Sequence, residues 1–245
     1  MMEQMNSDIV AFKKQLENSG TKGLVIDLDE TLSWTMYYMA GELAKLYGNP
    51  QNLSVEKLCE RMIAHDVPFW KLEEIRKWGL LALESEEMAE EYPIIEGADK
   101  AVEKIDHVIP VVGYLTLRQT SIRDATERWL KKHGFPDEPV ITRPNDLKLE
   151  EGMKWKADTL AYLYPQVIGS IDDTLDIFNY LPSSYQGIIF LFGQTDYPKS
   201  DLNIIPCKTW NDVYKKVKEH QLAYGAQYFK TQERIELIWR KTSLS

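Results

Sequence analysis

Gly23-Leu-Val-Ile-Asp-Leu-Asp-Glu-Thr-Leu32 decides how the rest of this chain is read. Gly23 to Ile26 are small or apolar, as in a strand buried on both faces, and the acids begin where that run ends. Such a strand belongs inside a parallel sheet, and open α/β sheets bind ligands at the carboxyl ends of their strands. Strand alternation nominally puts Asp27 and Asp29 on one side. Two carboxylates held together repel, so a protein that keeps such a pair offsets it with a metal ion, a proton or a cationic ligand. A strand ending in a solvated acidic turn would carry the same residues, so the other strands must decide.

Upstream, residues 7–18 have helical spacing and stop at Gly20. Downstream, residues 34–92 contain no convincing strand. Helices are expected over 36–47, from a Ser54 cap, and from Pro68 through Leu81, with the acidic run Glu84 to Glu91 as a solvated helix face. From Pro93 an alternating rhythm returns. Strands are expected at 111–116, 140–142, 167–171, 188–192 and, at an edge, 204–207. Helices are expected between them, at 98–106, from a Ser121 cap to Gly134, at 156–164, from Asp173 to Leu181, and from Thr209 to His220. Strands alternating with helices predict an α/β fold with a parallel sheet covered on both faces. The expected division is an α/β core over 1–33 and 93–221, a small all-α insertion over 34–92, and a C-terminal helical extension over 222–245.

Bulk properties narrow the function. The chain has 245 residues, 44% hydrophobic and 27% charged, and a net charge of −9. That balance argues against nucleic-acid or membrane-surface binding, which needs a basic field. There is no run of 18 apolar residues and no signal-peptide core, and the only cysteines are Cys59 and Cys207, so a cytoplasmic protein is expected. Neither a GxGxxG nor a Walker-type loop is present.

Three apolar strands end in polar groups: Asp27/Asp29, Thr116 and Asp172/Asp173, with Lys154 and Lys156 ahead of the helix that feeds the last. If these strands are neighbours, carboxylates, a hydroxyl and an ammonium group converge. Carboxylate oxygens suit a hard cation such as Mg²⁺, and a nucleophilic carboxylate beside a second carboxyl, a metal and a lysine suits phosphoryl transfer.

In these residues the chain resembles the haloacid dehalogenase (HAD) superfamily of phosphohydrolases. Asp27-Leu-Asp29-Glu-Thr31 matches its first motif, Thr116 its second, Lys156 or else Lys154 its third, and Ile171-Asp172-Asp173 its fourth. Pro93-Ile-Ile-Glu-Gly97 and Phe190-Leu-Phe-Gly193 are also similar. The resemblance implies a Rossmann-like three-layer core and a Mg²⁺-dependent phosphomonoester hydrolase, acting on a small phosphorylated metabolite or nucleotide, with the helical insertion 34–92 as its cap, placed between the first and second motifs. It implies that Asp27 attacks phosphorus, Asp29 serves as acid and then base, Thr116 binds a phosphoryl oxygen and the lysine neutralises charge. It also implies metal ligation by Asp27, the Asp29 carbonyl and Asp172, with Asp173 on the metal's waters. An acid at Asp29 points to a phosphatase rather than a dehalogenase.

Several alternatives stay open. Asp173 could instead cap its helix, and Arg118 and Arg143 could clamp phosphate or lie solvated. Trp34, Tyr37, Tyr38, Phe69, Trp70 and Trp78 could touch the leaving group, Trp34 foremost, or form the core of the cap. A phosphotransferase or a non-catalytic scaffold of the same fold would share these motifs, and a homodimer through the cap or the C-terminal helix is one assembly the sequence allows.

Overall fold

The computed structural model describes residues 6–197 and 199–221; the helix expected over 222–245 lies outside the described residues. Six parallel strands form one sheet: β1 (Gly23–Ile26), β2 (Val111–Gln119), β3 (Val140–Arg143), β4 (Val167–Asp172), β5 (Ile188–Phe192) and β6 (Asn203–Cys207), in the order β3-β2-β1-β4-β5-β6. β1 is therefore internal, between β2 and β4, with Ile26 level with Tyr114 on one side and Ile171 on the other. The strand order reverses about β1, and in an open α/β sheet that switch is where a crevice forms.

Successive residues face opposite layers, which is why these strands read as continuous apolar runs. Leu24, Ile26, Ile171 and Phe190 pack under α6 (Ala98–Asp106), α7 (Arg123–Lys132) and the helical residues 210–221. Val25, Leu115, Ile189 and Leu191 pack under α1 (Ser7–Ser19) and α8 (Leu149–Leu163). The strands also lie close together: a Cβ on Gly169 would stand 2.2 Å from the Ile188 carbonyl oxygen, so only glycine fits there.

Residues 34–92 hold α2 (Thr35–Tyr47), α3 (Val55–Ile63), α4 (Leu72–Ala82) and α5 (Glu86–Glu91). Ala40, Leu43, Leu58 and Trp70 form a small core there. α5 fastens this unit to α7, where Arg128 meets Glu86 at 2.8 Å and Glu90 at 2.6 Å, and the buried Trp129 donates its indole N–H to the Tyr92 carbonyl at 2.8 Å. Among the described residues, no helix is long and apolar enough to cross a membrane.

The structure corrects several boundaries. α4 begins at Leu72 rather than Pro68, because residues 67–70 form a turn. β2 runs three residues past Thr116, paired with β3 across an irregularity between Thr116 and Gln119. Ser121 lies in a 3₁₀ turn, Thr120–Ile122, and does not cap α7. α8 starts seven residues before Lys156, carrying two acids in its first turn, where the helix dipole favours them. The helix expected from Asp173 is only a 3₁₀ turn, Asp176–Asn179, so Asp173 is not a helix cap.

Candidate active site

The site begins where β1 stops. The Asp27 N–H donates to the Ile171 carbonyl at 2.9 Å, one step beyond the last strand residue. The chain then folds back tightly. The Leu28 carbonyl accepts from the N–H groups of Leu32 at 2.7 Å and Ser33 at 2.9 Å, and Glu30 takes φ 58°. Leu28 and Leu32 anchor the turn in the core, and the Trp210 indole N–H donates to the Thr31 carbonyl at 3.1 Å. These contacts replace the simple alternation that would have kept Asp27 and Asp29 together, and the two carboxylates face different partners.

Asp27 faces α8 and β4. Lys156 projects from α8, 2% exposed, and its Nζ lies 2.6 Å from Asp27 Oδ1 and 2.7 Å from Asp172 Oδ2. One lysine thus bridges two buried carboxylates. Asp173 joins from the end of β4: the Thr31 hydroxyl lies 3.1 Å from Asp173 Oδ1 and 3.3 Å from Asp27 Oδ2, within donating reach of either. Asp27, Asp172 and Asp173 bring one oxygen each within 4.8 Å of one another. Burial pushes the Asp27 carboxyl well above the usual carboxylate range; the charge of Lys156 opposes this, while those of Asp172 and Asp173 add to it. Burial and Asp172 likewise push Asp173 up to about 6. Burial opposes the charge on Lys156, but Asp172 and Asp27 more than compensate and hold its pKa above the ordinary lysine value.

Asp29 faces β2. Arg118, buried, sets Nη2 at 2.8 Å and Nε at 3.1 Å from Asp29 Oδ1, with Nε 3.2 Å from Oδ2. Nη2 also donates to Ser33 Oγ at 3.0 Å, and the guanidinium carbon lies 5.1 Å from the Tyr92 ring and 5.7 Å from the Trp129 ring. Thr35 Oγ1 donates to Asp29 Oδ1 at 2.5 Å. Burial alone would raise the Asp29 pKa, but Arg118 and Thr35 outweigh it and hold the carboxyl below its usual range. Arg118 is therefore an ion-pair partner rather than a solvated side chain. Strand spacing carries a partial signal, since residues 116 and 118 point to one side of β2. Nothing local identifies its partner, 89 residues away.

The other expected site residues fall into two groups. Thr116 is buried on β2, directly beside β1, where its hydroxyl accepts from the Arg118 N–H at 3.2 Å. Lys154 lies on the outer surface of α8, paired with Asp158 at 2.5 Å, so of the two lysines only Lys156 meets the carboxylates. Trp34 stands before α2, 41% exposed. Phe69, Trp70 and Trp78 fill the small core of the helical unit. Thr31, the last residue of the first motif, bonds Asp27 or Asp173, and Ser33 and Thr35 bond Asp29; nothing in the sequence marks the latter two, because serine and threonine after a strand are ordinary turn residues.

A cleft of about 310 Å³ opens beside Asp29, between α4 and the segment from β3 into α8. None of the aromatic candidates lines it. Arg143 does, but its Nε donates to the Leu117 carbonyl at 3.1 Å and its Nη1 to the Leu147 carbonyl.

The carboxylates of Asp27, Asp172 and Asp173 fit a hard divalent cation. The donors are all oxygen, they converge, and three negative charges face one lysine. The Asp29 side chain lies outside this cluster.

No family model and no curated protein matches the chain. Among solved structures, it is similar to a HAD-superfamily hydrolase from Ehrlichia chaffeensis, at 11% identity and TM-score 0.47, covering 81% of this chain and 98% of that one. It is similar to a phosphoserine phosphatase from T. onnurineus at 18% identity and TM-score 0.45, covering 81% and 94%. A HAD-superfamily hydrolase of subfamily IA from Geobacter sulfurreducens gives 12% identity and TM-score 0.47, covering 80% and 96%.

Proposed function

We propose that this chain is a HAD-type phosphomonoester hydrolase, dependent on Mg²⁺, that works through an aspartyl-phosphate. The observation that carries this reading is the meeting of Asp27 with Lys156, 129 residues further along the chain, and with Asp172 beyond it, in one buried cluster beside Asp173. A bare carboxylate triangle with one lysine is costly to bury unless a ligand completes it. Asp27, Asp172 and Asp173 would hold Mg²⁺, which supplies positive charge to the phosphoryl oxygens.

Asp27 has the nucleophile's place, at the tip of the internal strand. A carboxylate oxygen forms the bond to phosphorus as the bond from phosphorus to the ester oxygen breaks, and the leaving oxygen takes a proton from Asp29. Lys156, fixed by two carboxylates, offers its ammonium charge to the transferring group. In the second step water attacks the same phosphorus, the Asp27–phosphate bond breaks, and Asp29 takes the water proton. Asp29 is ionised on Arg118 here, the state that receives that proton. To donate a proton to the leaving oxygen in the first step it must loosen from Arg118 and take up a proton from solvent. Thr116 would hydrogen-bond a phosphoryl oxygen, and helices α2 to α5 would serve as the cap.

The experiment is phosphate release from a panel of nucleotides, sugar phosphates, phosphorylated small acids and aryl phosphates, with Mg²⁺ and with EDTA. Turnover that needs Mg²⁺ and disappears in folded Asp27→Asn is the expected result. Absence of Mg²⁺-dependent release across the panel, or a wild-type rate in Asp27→Asn, would refute the reading.

A further inference from the structure

The cleft beside Asp29 has a specific composition. Five leucines face it: Leu80 and Leu83 from α4 and its end, Leu117 from β2, and Leu147 and Leu149 from the entry to α8. Leu80 is 49% exposed and Leu149 40%, so apolar surface stands open to solvent on both walls. Helix starts and loop ends usually carry polar groups, and large leucines facing each other across a cleft are the kind of surface that a ligand covers.

The charges in the cleft are as informative. Its two guanidinium groups are already engaged, Arg118 on Asp29 and Arg143 on two backbone carbonyls. Lys148 is the third cation on the lining, which also carries four carboxyl groups, Asp29, Glu84, Asp146 and Glu150. An incoming carboxylate or second phosphate would therefore meet excess negative charge, and like-charge contact is a strong means of rejection. A neutral or cationic apolar group meets no such penalty.

Resting on the phosphatase reading above, we infer that this cleft seats the leaving group and selects phosphate esters of bulky, largely apolar alcohols without a second anionic group, such as aryl or arylalkyl phosphates. Asp29 ties the two places together. It is the residue assigned to proton transfer at the ester oxygen, and it forms part of the cleft lining. The alcohol therefore leaves toward the leucines. A volume of about 310 Å³ lies at the lower end of small-ligand sites and accommodates one ring with a short chain.

The test measures kcat/KM of the full chain with Mg²⁺ on phenylpropyl phosphate, glycerol 3-phosphate and 3-phosphoglycerate. Phenylpropyl phosphate is expected to lead glycerol 3-phosphate by about 10- to 100-fold, the range that apolar contacts give in substrate discrimination, with 3-phosphoglycerate last. In the double variant Leu80→Glu/Leu149→Glu the ratio of phenylpropyl to glycerol phosphate should fall by about tenfold. Both side chains are substantially exposed, so the fold should tolerate the change. Leu81→Glu, at 61% exposure and off the lining, should keep the wild-type ratio. Turnover with equal or reversed ranking, or a ratio unchanged in the double variant, overturns this inference and leaves the hydrolase reading standing. No turnover of any ester overturns both.

Discussion

Replacing Arg118 by Met keeps most of the side chain's bulk between Tyr92 and Trp129 and removes its charge. Asp29 would then stand without its cation. At about 3 Å and an effective dielectric constant of about 20, the attraction lost is about 5 kcal/mol before desolvation is counted. Removing one partner of a buried pair typically costs about 3–5 kcal/mol, mainly because the other charge stays behind. The Asp29 side chain is 28% exposed, which lets water soften that penalty, so the low end, about 3 kcal/mol, is expected. For a chain of this size that is about 6–12 °C in Tm. The assay is thermal unfolding followed by circular dichroism at pH 7 for Arg118→Met, Asp29→Asn and the double variant. Because the cost lies in the stranded carboxylate, Asp29→Asn/Arg118→Met should recover to within about 1 kcal/mol of wild type, as neutral replacements of buried pairs often do. A shift below about 2 °C in Arg118→Met, or a double variant no better than the single, would refute the reasoning.

Three further outcomes follow from the same contacts. Lys156→Met leaves Asp27 and Asp172 facing each other and should cost about 3–5 kcal/mol in EDTA; Mg²⁺ should raise its Tm by more than it raises that of wild type, and equal increments would count against a shared cation site. Burial pushes Glu30 up to about 7 from 4.5, so in metal-free protein the folded state holds a proton there that the unfolded chain has lost; stability must fall as pH rises from about 4.5 to 7. Glu30→Gln, which keeps an acceptor for the Met36 N–H, should flatten that part of the pH–stability curve in EDTA, and a curve parallel to wild type would sink the assignment. Gly169→Ala drives a methyl group against the Ile188 carbonyl and should cost about 2–3 kcal/mol in urea unfolding, with a smaller loss showing that β4 and β5 can separate.

The fold was legible because its strands are buried on both faces. Runs such as Val167 to Ile171 and Ile188 to Phe192 announce themselves without periodicity, and the acids at their tips mark the functional edge. Less legible were features decided by partners far along the chain. The expected strand ends at Thr116, yet pairing with β3 carries β2 on to Gln119. The start of α8 is hidden in the sequence because Leu149-Glu-Glu-Gly152 has no capping side chain, while Gly152 packs closely against Leu117 and Arg143. Simple alternation groups Asp29 with Asp27, and the turn anchored by Leu28 and Leu32 separates them. Neither that turn nor the distant Arg118 can be inferred from local spacing.

The position of β1 has a bearing on how the protein is made. It is made before the other described strands, yet its neighbours are residues 111–119 and 167–172, so one flank stays unpaired until synthesis has passed residue 167. The Trp210 clasp on the carboxylate-bearing turn arrives later still. Throughout that interval a nascent chain displays an apolar ribbon with open backbone groups, which invites wrong pairing. Slowing elongation, or depleting chaperones, should therefore harm the yield of this protein more than one whose earliest strand sits at a sheet margin.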